Sequence, residues 1–144
     1  MPLKIKIKYA SPESKRLEKI AIGDWIDMFA DKTVSLGQGE RGLIPLGVAI
    51  QLPAGYEAHL APRSSTFKTW GIIQTNSPGI IDESYCGDND WWFMPVHAMR
   101  ATTINAGDKI CHFRIVEKMQ EVCLEEVESL GNADRGGLGS TGKR

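Results

Sequence analysis

Leu3 Lys4 Ile5 Lys6 Ile7 Lys8 Tyr9 opens the chain with apolar and lysine residues in strict alternation. A period of two puts the apolar side chains on one face of a strand and the lysines on the other, as in a sheet with one face on a core and one in water. Lysines along such a strand also discourage edge-to-edge pairing, so no anionic partner is needed to account for them. Strand signals recur at Gly42 to Leu52, at Tyr56, Ala58 and Leu60, at Trp91 to Pro95, at Ala101 to Ile104, at Lys109 to Val116 and at Glu121 to Val127. Turn-rich segments separate them, among them Leu36 to Arg41, Pro53 Ala54 Gly55 and Asn105 Ala106 Gly107 Asp108. Only Ser11 to Ile20 predicts a helix of appreciable length, capped near Ser11 with its proline in the first turn. Many short strands without strand-helix alternation predict an all-β, jelly-roll-like antiparallel subunit.

At 144 residues with 42% hydrophobic content, the chain has the length of one domain and enough apolar side chains for a core without metal or disulfide staples. Its 17 basic and 18 acidic residues nearly cancel, so no bulk field argues for nucleic acid or an anionic membrane, and any anion has to be recognised locally. Cys86, Cys111 and Cys123 are odd in number and lack CxxC spacing, which predicts free thiols in a reducing compartment. With no signal-like N-terminal run and no 18-residue apolar span, the expectation is a soluble cytoplasmic protein.

Several stretches carry chemistry. Asp134 Arg135 Gly136 Gly137 Leu138 Gly139 Ser140 Thr141 Gly142 is a polar tail with one permanent cation, two hydroxyls and many bare amides. Such a tail is either disordered or folds over an anion, its glycines letting amides converge while Arg135 forks onto phosphate. It is not a P-loop, because no Lys follows in GK(S/T) order. Pro62 Arg63 Ser64 Ser65 follows a predicted strand, presenting a guanidinium and two hydroxyls; a plain strand-end turn accounts for the serines equally well. In Gly79 Ile80 Ile81 Asp82 Glu83 Ser84 Tyr85 Cys86 Gly87, Asp82 follows two large apolar residues and is expected partly dry and poised as a base, with Tyr85 offering a flat face to a sugar. Asn76, in the same hairpin-like segment, has the donor and acceptor that a nucleobase edge needs, or else makes an Asx turn. Asp24, Asp27 and Asp31 are candidate metal carboxylates, or solvated loop residues. Of Trp91, Trp92 and Phe93, alternation puts Trp92 on the face opposite its neighbours.

In order and spacing, KIKIKY, GDWIDM, PRSS, NSPGIIDESYCG, GDKICHF and RGGLGSTG resemble the homotrimeric dUTP pyrophosphatase (dUTPase) family, in its short Gram-positive bacterial and phage form. The resemblance spans nearly the whole chain. It implies a β domain over residues 1–130, and over 131–144 an arm that closes a neighbouring subunit's active site in a trimer with shared sites. It implies hydrolysis of dUTP to dUMP and pyrophosphate, which limits uracil incorporation into DNA, with Asp82 activating the water. Asn76, Gly79, Ile81 and Tyr85 would hold the uracil and deoxyribose; Arg63, Ser64, Ser65 and His112 would face the phosphates, His112 standing in place of the usual glutamine. Arg135, Leu138, Gly139, Ser140 and Thr141 would close over the substrate. Asp27 would hold Mg2+ through water, while the segment around it departs from the usual DAGxDL form and leaves Asp24 open. Leu138 occupies the place of the uracil-stacking phenylalanine, so Trp91, Trp92 or Phe93 is expected to supply the missing ring. The rival readings are a dCTP deaminase, for which Glu83 is the only further acid beside the hairpin aspartate, and a phage-type trimer that binds a regulatory protein. No direct nucleic-acid or membrane contact is expected.

Overall fold

In the computed structural model, which describes residues 2–138, eleven strands and one short helix follow in the order β1 Lys6–Tyr9, β2 Ile26–Phe29, β3 Val34–Leu36, β4 Arg41–Pro45, β5 Val48–Gln51, β6 Tyr56–Pro62, α1 Thr66–Trp70, β7 Ile72–Gln74, β8 Gly79–Ile81, β9 Phe93–Ala98, β10 Thr102–Ile104 and β11 Lys109–Glu117. Every ladder is antiparallel. The two larger sheets run β2-β11-β6-β8 and β4-β9-β7, with β1-β5 and β10-β3 as two-stranded flanks. This is the expected jelly-roll-like β subunit.

Alternation decides which face each strand buries. On β9, Met94, Val96 and Ala98 are buried while Phe93, Pro95 and His97 face outward. On β11, Cys111 and Phe113 point into the core and His112 and Arg114 out of it. The inward residues of both large sheets meet in one cluster that includes Met28, Ile44, Leu60, Ile72, Trp92, Met94, Ile110 and Phe113. Trp92 sits at its centre, 1% exposed, edge-on to Phe113 with ring centroids 5.2 Å apart. Burial also pushes the Cys111 thiol far above its usual range, with Asp27 adding to the effect, so this cysteine is a core residue.

Three expectations from local pattern fail. Ser11–Ile20 is no helix, because its polar groups are taken elsewhere: Ser14 Oγ donates to Asp31 Oδ1 at 2.6 Å, and the Leu17 amide donates to the Tyr9 hydroxyl at 2.9 Å. Leu17 and Ile20 alone make too narrow an apolar stripe for a helix this short. Gly42–Leu52 is two strands in different sheets, broken at Gly47, whose φ of +70° and contact with Asp31 exclude a side chain: a Cβ there would lie 2.6 Å from Asp31 Oδ1. Glu121–Val127 is not a strand, and Val122, Leu124 and Val127 are exposed without a partner strand among the described residues. Period-two alternation stabilises a strand only when a ladder and a core are within reach.

Candidate active site

Asp27 on β2 stands opposite His112 on β11, and His112 stands opposite Ala61 on β6, so the sheet places their outward side chains in one row. Arg63, just past the end of β6, completes the cluster: its Nε lies 3.1 Å from Asp27 Oδ1, while Lys109 Nζ lies 3.5 Å from Asp27 Oδ2. The PRSS turn is held by Thr66, which is fully buried. Thr66 Oγ1 accepts the Arg63 amide at 2.9 Å and donates to the Ile110 carbonyl at 3.0 Å, tying the turn to β11. Ser64 is exposed, and Ser65 lies at the limit of hydrogen-bond reach from the Arg63 guanidinium, 3.5 Å. Trp25 stacks on His112 with centroids 4.5 Å apart. Burial lowers the His112 pKa; Asp27 opposes that effect and Arg63 reinforces it, so the neutral imidazole is favoured.

Asp24 turns away to pair with Arg114 at 2.9 Å, and Asp31 is occupied by Ser14, so neither joins Asp27. Among the described residues no group of three or more His, Cys, Asp or Glu converges as a metal cage. One carboxylate beside an arginine-bearing turn would suit a magnesium ion that arrives with a polyphosphate and keeps most of its waters.

Asp82 lies at the other end of the same sheet. Ile81 pairs with Ala58 and Gly79 with Leu60, so β8 runs back along β6, and Asp82 falls roughly six residues from Arg63, about 20 Å at strand rise. Asn76 to Tyr85 is not a paired hairpin: β7 belongs to one large sheet and β8 to the other, and the link between them crosses the gap. Gln74 braces that crossing. Its Nε2 donates to the carbonyls of Leu60 at 2.9 Å and Asn76 at 3.1 Å, under an exposed Asn76, while its Oε1 is buried without a partner among the described residues. Gly79 leaves little spare room, since a Cβ would lie 3.3 Å from Asn76 Nδ2.

The expected dry setting for Asp82 is corrected: its side chain is 53% exposed. Oδ2 accepts the Ser84 amide at 2.8 Å and Oδ1 meets Lys118 Nζ at 3.0 Å. Ser84 and then Lys118 hold the carboxyl well below its usual range. The apolar neighbours Ile80 and Ile81 instead line an open cleft of about 520 Å³ with Leu43, Tyr85, Trp91 and Phe93, and Trp92 at its base. Tyr85 is fixed there, its hydroxyl donating to the Trp91 carbonyl at 2.8 Å.

The two ends differ in chemistry as a polyphosphate and a nucleoside do. The chain matches the family model for dUTPase over residues 25–142. It belongs to the dUTPase family. The chain is 57% identical over 142 residues to the SPbeta prophage-derived deoxyuridine 5'-triphosphate nucleotidohydrolase YosS of Bacillus subtilis, covering 99% of this chain and all of that one. It is 32% identical to the deoxyuridine 5'-triphosphate nucleotidohydrolase of Anaeromyxobacter, over 99% and 100% of the two chains. In fold it is similar to a variant dUTPase of Staphylococcus bacteriophage 80alpha with dUpNHpp, at TM-score 0.78 and 20% identity, over 96% of this chain and 98% of that one.

Within this dUTPase the structure groups Arg63, His112 and Asp27, and separately Ile81, Asp82 and Tyr85. Arg135 and Leu138 sit on an exposed stretch beyond β11 and touch neither group; Gly139, Ser140 and Thr141 lie outside the described residues. Residues that the pattern did not reveal are Thr66, Trp25, Lys109 and Lys118. Lys118 directly follows the last strand, but nothing in a lone lysine there points to Asp82.

Proposed function

We propose that this dUTPase cleaves dUTP to dUMP and pyrophosphate in sites shared between the copies of a trimer, each site taking its nucleoside half from one chain and its phosphate half from another. The observation that carries this is the separation of Asp82 from Arg63 along one sheet. A triphosphate spans much less than about 20 Å, so one chain cannot apply both groups to the same substrate. The exposed Val122, Leu124, Val127 and Leu130 support the same assembly, since an extended apolar stretch of this kind is buried once a neighbouring copy receives it. The arm, residues 131–144, would then bring Arg135, Leu138, Gly139, Ser140 and Thr141 over the phosphates and exclude water.

In this reading uracil enters between Asn76, Gly79 and Ile81, and Tyr85 lies along the deoxyribose. Phe93, 42% exposed on the wall of the cleft, is the ring that replaces the missing aromatic of the arm, whereas Trp92 is core. Asp82 takes a proton from water as its oxygen attacks the α-phosphorus; the bond from that phosphorus to the bridging oxygen breaks and pyrophosphate leaves with the electron pair. Arg63, Ser64 and Ser65 of the neighbouring chain orient the phosphoryl oxygens and offset their charge. Asp27 is the residue that would hold magnesium, which would supply further charge neutralisation when bound. Asp27 is ion-paired to Arg63 and Lys109, so binding requires these cations to turn toward the phosphates.

Deamination of dCTP is disfavoured by the position of Glu83. Its carboxylate accepts the Gly55 amide at 2.9 Å and Lys118 Nζ at 2.9 Å, and it is absent from the cleft wall. Cytoplasmic residence belongs to the same proposal and rests on the free thiols of Cys86, Cys111 and Cys123; among the described residues no helix is long and apolar enough to cross a membrane. The test is incubation with each deoxynucleoside triphosphate and magnesium, with products separated by chromatography. Pyrophosphate released from dUTP alone is expected; ammonia from dCTP, or binding without turnover, would overturn the assignment.

A further inference from the structure

Lys118 is placed by three independent tethers. Its amide donates to the Gly55 carbonyl at 2.9 Å, which continues the β11-β6 ladder one step past Glu117. Its ammonium lies 2.9 Å from Glu83 Oε1 and 3.0 Å from Asp82 Oδ1. Glu83 is itself pinned, its second oxygen accepting the Gly55 amide at 2.9 Å. Lys118 and Glu83 thus brace one another against the Gly55 turn at the start of β6, and Asp82 is the third member of the group.

We propose that Lys118, braced by Glu83, is a positioning residue for Asp82, setting the direction of the carboxylate that activates water. The inference rests on the reading of Asp82 as the base. A carboxylate at the end of a three-residue strand, half in solvent, has several accessible rotamers. Otherwise Ser84, from its own turn, restrains it through its amide and its side chain. An ammonium fixed from beyond β11 holds Oδ1 toward Lys118 while Oδ2 faces Ser84, at the edge of the cleft that Asp82 lines. Ser84 and then Lys118 favour the ionised form of Asp82. Of the titratable groups around Asp82, Glu83 comes from the same turn, Lys118 from beyond β11 and Tyr85 from the cleft wall. On the adjacent β6, Glu57 and His59 are paired with each other at 2.6 Å. Lys118 lowers the carboxyls of both Asp82 and Glu83 below their ordinary values.

The experiment compares Lys118→Met, Lys118→Arg, Glu83→Gln and Asp82→Asn in the full-length protein, measuring kcat and KM for dUTP at pH 7.5. Lys118→Met is expected to lower kcat about tenfold with KM within about twofold. Lys118→Arg should restore most of kcat, because an arginine can still reach both carboxylates. Glu83→Gln should lower kcat by less, again with KM within about twofold, and it keeps the question answerable if Lys118→Met does not fold. A kcat within about twofold of the parent in both folded variants would overturn the positioning role while leaving Asp82 as base. Full turnover in Asp82→Asn would overturn the reading beneath it.

Discussion

The two ends of the β2-β11-β6-β8 sheet share a backbone and differ in nearly everything else. At one end Arg63, Lys109 and Asp27 form a charged cluster beside a pocket of about 110 Å³, lined by Arg16, Trp25 and Lys109 among others. At the other, a wide cleft walled by Ile80, Tyr85, Trp91 and Phe93 carries Asp82 on its rim. The first holds Arg16, Lys109 and the nearby Arg63 beside the carboxylates of Glu18 and Asp27 and is too small for a nucleoside; the second has the volume and the rings for a nucleoside but one carboxylate where phosphates would need cations. In the proposed function each chain carries complementary halves and a neighbouring copy completes its site. Assembly is therefore part of the catalytic apparatus in the proposed reading.

The sharpest way to break this comparison is complementation. Asp82→Asn and Arg63→Ala trimers are each expected to lose roughly 100-fold to 10,000-fold in turnover. Co-refolded mixed trimers should recover a substantial fraction, since an interface joining an intact Asp82 to an intact Arg63 is restored. Proven mixed trimers with no recovery would mean that both halves act within one chain.

The adjacent aromatics provide the next test. Trp92→Ala should cost about 3–5 kcal/mol of stability by opening a core cavity, read from denaturant unfolding. Phe93→Ala should leave stability nearly unchanged and weaken binding of a non-hydrolysable dUTP analogue by about 0.5–1.5 kcal/mol, read by calorimetry. Equal effects of the two substitutions on binding would end the assignment of Phe93 as the stacking ring.

The smallest effect concerns His112. Burial lowers its pKa, so in the ligand-free protein its NMR titration midpoint should fall below the ordinary value of about 6.5. The stability that goes with a neutral His112 is present above that value and is lost as pH falls through the folded midpoint. A midpoint above the ordinary value would show that Asp27 outweighs burial, and would make the phosphate end more cationic than described. His112→Gln should remove this titration and change turnover at pH 7.5 by less than about threefold.

Legibility from sequence followed the range of the interaction concerned. The inward and outward faces of β9 were readable because alternation is a property of adjacent residues, and Trp92 lies opposite Phe93 as expected. The Ser11–Ile20 segment misled because the partners that satisfy Ser14 and Leu17, Asp31 and Tyr9, both lie outside it. The exposure of Asp82 was equally hidden: Ile80 and Ile81 predict a dry neighbour only if the chain stays in one sheet, and it changes sheets between β7 and β8. Thr66 and Lys118 have no local signature, since their partners Ile110 and Asp82 are more than thirty residues away in the chain.

What the sequence determined alone is the β character, the inward set of each strand and the ordered motifs that mark a dUTPase, because side-chain periodicity and motif chemistry are written along the backbone. Tertiary structure decided which motifs meet. Antiparallel pairing of β6 with β8 sends Asp82 toward the start of β6, where Lys118 and Glu83 wait, and leaves Arg63 at its far end with Asp27. That division follows from strand direction and register, which depend on long-range burial and cannot be read from any one segment.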